Sequence, residues 1–165
     1  GLHRTGIVYD SRKSNAYIKR ARNIAADYGI ELVTVQVKQP QEVESALSRL
    51  ASSTIDSIWM IPDTTAVTAE NLDSYSHMAQ KTNIPLIGFS KAYLAKGSMA
   101  VLEASRTKMT EQLCDSILKL LSDSNPAGMP PEDIDEAQLF TNEFIARKLN
   151  ISLTGMNQLF RSGKE

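Results

Sequence analysis

The chain has 165 residues, 42% of them hydrophobic and 22% charged, with 18 Lys and Arg against 19 Asp and Glu. That length suits one domain, or half of something larger, with enough apolar material for a core that needs no disulfide framework. The near-zero charge balance argues against a nucleic-acid groove or a polybasic membrane surface. A single Cys114 excludes an internal disulfide and a Cys-rich zinc site, and no apolar run reaches the roughly 18 residues of a membrane span.

Short apolar runs alternate with amphipathic stretches. Residues 5–9 read as a strand. Tyr17, Ala21, Ile24 and Tyr28 then recur at helical spacing, with Ser14 as N-cap and Gly29 just past the C-terminus. Residues 32–37 are β-branched and read as a second strand. After the start signal Gln39-Pro40, residues Val43, Ala46, Leu47 and Leu50 fit i, i+3, i+4, i+7. Residues 55–61 form a third strand, apolar enough to be central, with Trp59 and Met60 in the core. Leu72, Tyr75, Met78 and Ala79 mark a third helix.

A fourth strand covers 84–89, with Pro85 near its start, where a missing N–H is tolerated. Residues 90–96 are a short helix or turn ending at Gly97, and 98–103 are a fifth strand. Met109, Leu113, Ile117 and Leu120 define a fourth long helix, with Cys114 expected as a small core residue. This rhythm predicts parallel βαβ units in an α/β three-layer sandwich, with a mostly parallel sheet of five or six strands. The expected organisation is an α/β ligand-binding lobe over 1–121, a turn-rich linker over 122–131, and a strand-helix segment over 132–160. Within that segment 138–141 read as a strand, and 142–149 as a helix with Phe144, Ile145 and Leu149 on one side. Residues 161–165 are expected to fray. The chain enters a strand almost at once after Gly1, the pattern of a piece cut from a longer protein.

In open parallel sheets, ligands bind outside the C-terminal ends of the strands. That rule selects Tyr9-Asp10-Ser11-Arg12-Lys13-Ser14, Pro62-Asp63-Thr64-Thr65 and Phe89-Ser90-Lys91. The plainer reading is that such loops are polar anyway, with Asp and Ser as helix caps. Sharper motifs are missing: no G-x-G-x-x-G follows the first strand, and there is no Walker lysine motif or G-x-S-x-G elbow. His3 and His77 are the only histidines, His77 on the outer side of the third helix, which leaves little material for a metal site or a His-dependent triad. No enzyme, metal or cofactor is expected. A phosphoreceiver reading finds Asp10, Asp63 and Ser90 at suitable strand ends. It lacks the paired carboxylate after the first strand and a lysine after Leu102-Glu103-Ala104.

Five pieces in order resemble the second lobe of the ABC-transporter substrate-binding proteins of the periplasmic-binding-protein-like type. They are Gly6-Ile7-Val8-Tyr9-Asp10, Gly29-Ile30-Glu31-Leu32-Val33, the run from Ile55 to Thr65, Asn83-Ile84-Pro85-Leu86-Ile87-Gly88, and Lys96-Gly97-Ser98-Met99-Ala100. The resemblance implies an extracytoplasmic lobe that closes on a small solute, such as an amino acid or related metabolite, and docks to an ABC permease. A sensory ligand-binding domain fused to a signalling module is the alternative. It implies ligand contacts at Asp63, Thr64, Thr65 and Ser90, joined by Ser11 and Ser14, with Asp63 meeting a ligand ammonium. After the fifth strand the chain departs from the family pattern: the inter-lobe Gly is Glu103, the ligand-facing Asp is Ser105, and the helix Gly is Thr110. Ser105 still joins the expected ligand-facing set. Without a first lobe, the Met109/Leu113/Ile117/Leu120 stripe is expected to be exposed and to drive self-association as a homodimer, by swapping this helix or the segment from Gln138 to Leu149.

Overall fold

The computed structural model describes residues 3–122, 134 and 136–154. Its strands are β1 (Arg4–Tyr9), β2 (Glu31–Gln36), β3 (Ser57–Trp59), β4 (Leu86–Gly88), β5 (Ala100–Ala104) and β6 (Ala137–Thr141). They make one sheet in the order β2-β1-β3-β4-β5-β6. The first five run parallel, and β6 joins antiparallel to β5 with Val101 opposite Phe140. The helices are α1 (Ser11–Asp27), α2 (Val43–Ala51), α3 (Leu72–Thr82), α4 (Arg106–Ser122) and α5 (Glu143–Lys148). The expected α/β three-layer sandwich is the observed one, with six strands. Of the linker expected over 122–131, Ser122 ends α4 and the rest lies outside the described residues, as do residues 161–165.

Alternation along β1 sends Ile7 and Tyr9 to one face of the sheet and Val8 to the other. On the Val8 face, α2 buries the four residues its periodicity predicts, Val43, Ala46, Leu47 and Leu50. Beside it α3 buries Tyr75, Met78 and Ala79. Each fully buried aliphatic side chain in this layer contributes about 1.5–3 kcal/mol. Gly6 lets the layer close. A Cβ there would stand 2.8 Å from Ile55 Cδ1 and 3.3 Å from Leu50 Cδ1.

On the Ile7 face, α1 presents a different stripe from the one expected. Only Ser14 and Ile18 are buried, with Ala21 and Ala25 packed beside them, whereas Tyr17, Ile24 and Tyr28 are 46%, 50% and 76% exposed. The helix is rotated so that its small residues sit closest to the sheet. Tyr17 instead leans on the half-buried Trp59 at a ring separation of 6.0 Å. The N-cap is Asp10, whose carboxylate accepts the Arg12 N–H at 3.0 Å. Ser14 is a first-turn residue already committed elsewhere. The C-terminus closes as expected, with Gly29 at φ +68° and the Ile30 N–H bonded to the Ala25 carbonyl.

Two other expectations fail at the edge of the fold. Cys114 is exposed, because no residue of α4 is buried. In α5 the residue against the core is Ala146, and Phe144, two positions earlier and so on the far side of the helix, is 70% exposed. Ile145 and Leu149 do pack, against Met99 and Ala100. Among the described residues, no helix is long and apolar enough to cross a membrane.

Candidate functional site

The parallel register aligns the C-terminal ends of β1, β3, β4 and β5 along one edge. Two of the loops leaving that edge are tied together by Asp63. Its Oδ1 accepts the backbone N–H groups of Thr65 and Ala66, each at 2.9 Å. Its Oδ2 accepts the Asp10 N–H at 2.9 Å and the Ser14 hydroxyl at 2.6 Å. The residue is 2% exposed. Four donors on two oxygens fill the acceptor capacity of the carboxylate. Burial pushes its pKa up, and the Ser14 hydroxyl with the three N–H groups outweighs that, leaving the carboxyl below its ordinary value.

Asp10 closes the ring from the other side. Arg12 grips it with Nε to Oδ1 at 2.9 Å and Nη2 to Oδ2 at 2.7 Å, while the Thr65 hydroxyl donates to Oδ2 at 2.9 Å. The Arg12 hydrogen bond, followed by the Arg12 and Thr65 contacts, holds the Asp10 carboxyl well below the carboxylate range. Such two-pronged pairs are geometrically specific. Asp10 is fully buried, whereas the Arg12 side chain is 62% exposed.

Outside this closed ring lies an open polar lip. Lys13 Nζ donates to Thr64 Oγ1 at 2.7 Å, and both residues face solvent. Ser11 is half-buried beside them at the start of α1, and Ser90 is half-buried at the exit of β4. The structure therefore brings Ser11, Ser14, Asp63, Thr64 and Thr65 into one cluster, with Ser90 on the next strand.

It puts four residues to uses other than those the resemblance implies: the buried Ser14 and Thr65 give their hydroxyls to Asp63 and Asp10, and Asp63 and Ser105 are likewise engaged internally. Asp63 has no acceptor position open for an ammonium, since its four partners are internal. Ser105 is 3% exposed and sits at the head of α4, where its hydroxyl accepts the Lys108 N–H at 3.4 Å. The same closed ring disfavours the phosphoreceiver reading, which needs an aspartate open to solvent at position 63.

The sequence places Asp10, Arg12 and Lys13 in the loop after the first strand but assigns none of them a ligand or bracing role. Their signal is visible in hindsight: an Asp between the last apolar residue of a strand and the first of a helix is a cap, and an Arg two positions on can grip it. Two surface grooves lie away from this edge. One, of about 550 Å³, runs between α2 and α3 past Leu47, His77 and Lys81. The other, of about 480 Å³, borders α5 at Arg147 and Ile151. Among the described residues, no group of three His, Cys, Asp or Glu side chains is placed to hold a metal ion.

The mostly parallel sheet with helices on both faces and its polar loops gathered at the strand C-termini matches one lobe of a periplasmic-binding-protein-like fold. Residues 1–159 match the family described as ABC transporter substrate binding protein, and the chain belongs to that family. Among solved structures, the chain is similar to a conserved domain protein from Vibrio cholerae at 22% identity and TM-score 0.74, over 97% of this chain and 54% of that one. A Streptococcus pneumoniae ABC domain in complex with L-Trp aligns at 20% identity and TM-score 0.75, over 96% and 55%. A ligand-free, open substrate-binding protein with adhesive properties from Clostridium difficile aligns at 20% and 0.67, over 93% and 52%. The chain thus spans about half the length of each. No curated protein matches it.

Proposed function

We propose that this chain is a small-solute-binding lobe of an ABC-type uptake system, acting outside the cytoplasm. The observation that carries this reading is the division of labour at the strand C-termini. A buried ring of Asp10, Asp63, Ser14 and Thr65 fixes two loops, and Lys13 Nζ with Thr64 Oγ1, 2.7 Å apart, forms an exposed lip on them. In this reading Asp63 is a positioning residue. Lys13, Thr64, Ser11 and Ser90 meet the solute. A cation beside the N-terminus of a 17-residue helix suits a carboxylate on the ligand.

L-Trp in the pneumococcal structure supports an amino acid or related metabolite as the solute class. The partners in this reading are that solute, a permease, and a second copy of the chain through α4. The family description supports uptake over a fused signalling module.

The test is calorimetric titration of the chain with L-tryptophan and a panel of other amino acids. Saturable heat with one of them, weakened about tenfold by Thr64→Ala or Lys13→Ala through loss of one charged hydrogen bond, is the expected result. Heat that neither substitution alters would remove the lip from the site.

A further inference from the structure

The carboxylates at the C-terminal ends of the parallel strands differ in what they have left to offer. Asp10 and Asp63 are closed into the buried ring. Glu103, near the end of β5, is half-buried, and its Oε1 stands 3.5 Å from the Lys91 N–H, at the outer limit of a hydrogen bond. Its Oε2 has no partner among the described residues. Lys91 does not supply a counter-charge, because its Nζ lies over the Phe140 ring, 4.5 Å from the centroid.

Beside Glu103 is an unused hydroxyl. Ser90 is half-buried and stands at the N-cap of the short turn Lys91–Lys96, yet its side chain makes no capping bond. Gly88 of β4 pairs with Val101 of β5, and Ser90 is itself extended, at φ −135° and ψ 133°. Carried two residues further, that register sets Ser90 against Glu103 on one side of the sheet. The approach of the Lys91 N–H to Glu103 agrees with this placement. A carboxylate and a hydroxyl with acceptor capacity to spare, short of a cation, suit an ammonium.

We infer that Glu103, with the Ser90 hydroxyl, receives the ammonium of a zwitterionic solute whose carboxylate lies at Lys13 and Thr64. The inference rests on the solute-binding reading above and adds a polarity to that site. The cationic lip hangs on β1 and β3, and the anionic pair on β4 and β5. Strands β3 and β5 are two spacings apart, about 10 Å, which one small zwitterion spans with a hydrogen bond at either end.

The test is calorimetric titration of the full-length protein that carries this chain with the common amino acids, each beside its deamino analogue (indole-3-propionate for tryptophan). An amino acid that binds should do so about tenfold or more tighter than its analogue, through the charged hydrogen bond to Glu103. Glu103→Gln should weaken the amino acid about tenfold and shift the analogue by less than about twofold, since only the amino acid carries the lost contact. Circular dichroism confirms folding, and Glu103→Asp, which keeps the charge on a shorter arm, serves the same comparison where Glu103→Gln does not fold. An analogue that binds as tightly as its parent, or a Glu103→Gln variant that weakens both alike or neither, overturns the inference and leaves the solute-binding reading standing. No binding by any amino acid or analogue overturns both.

Discussion

The Ser14 hydroxyl donates to Asp63 Oδ2 at 2.6 Å, across 49 positions of sequence. Both groups are buried, Ser14 at 7% and Asp63 at 2% exposure. This bond fixes the first turn of α1 to the loop that leaves β3. It explains why a small polar residue occupies the buried seam of α1. An apolar side chain there would leave Asp63 short of a donor, and an unsatisfied buried carboxylate is costly.

Replacing Asp63 by Ala strands the buried N–H groups of Asp10, Thr65 and Ala66 and the Ser14 hydroxyl. Urea unfolding should show a loss of about 3 kcal/mol or more, since each orphaned buried group costs about 1–3 kcal/mol and relaxation recovers part. Thr64→Ala, one residue away on the exposed lip, should stay within about 0.5 kcal/mol of wild type. Equal losses in the two variants would contradict the separation of ring from lip.

The pH dependence follows from the two depressed carboxyls, Asp10 and Asp63. A carboxyl whose folded pKa lies below its unfolded value, about 3.9 for Asp, adds stability above that unfolded value. The stability is lost as pH falls through the folded pKa. Stability should therefore be level between about pH 7 and 5 and fall steeply below about pH 4. Arg12→Ala removes the main cause of the Asp10 shift, so its acid limb should be shallower. Urea midpoints measured across that range decide it, and parallel curves for the two proteins would count against the Arg12 assignment.

Gly6→Ala pushes a methyl against Ile55 Cδ1 at 2.8 Å. Overpacking of this kind costs about 1–3 kcal/mol. Adding Ile55→Val removes the Cδ1 atom and should restore part of the loss, which thermal unfolding of the single and double variants would reveal.

Tyr75 is fully buried on α3, and its hydroxyl donates to the Ala66 carbonyl at 3.2 Å. Burial, with the nearby Asp63 charge, pushes its phenol well above the ordinary value. Tyr75→Phe should cost about 1 kcal/mol. It should also loosen the loop that carries Thr64 and Thr65, read as faster amide exchange at Thr65 and Ala66. Unchanged exchange there would limit Tyr75 to packing.

Much of the fold was legible because its signals are local. The stripe Val43, Ala46, Leu47, Leu50 and the Gln39-Pro40 start define α2 without reference to anything distant, and Gly29 ends α1 where a left-handed turn is needed. What stayed hidden depends on partners far along the chain. Ser14 looks like a cap until Asp63, 49 positions on, claims its hydroxyl. Tyr17 and Ile24 look like a core stripe because the buried seam of α1 is made of Ser14, Ile18 and alanines, residues that carry a weak hydrophobic signal. Cys114 looks buried because its neighbours Leu113 and Ile117 are apolar, and sequence alone does not say that α4 turns that side outward. The loops of the candidate site were found by their position after the strands. Which residues brace and which stay open became visible only from the hydrogen bonds.

The most direct test of the account is an amide-resolved NMR titration of the chain with a panel of the common amino acids. A substrate-binding lobe that uses the strand C-termini should show saturable shifts confined to the loops carrying Ser11 to Ser14, Asp63 to Ala66, and Ser90 with Lys91. Shifts centred on the groove between α2 and α3, or no saturable shift with any member of the panel, would contradict it.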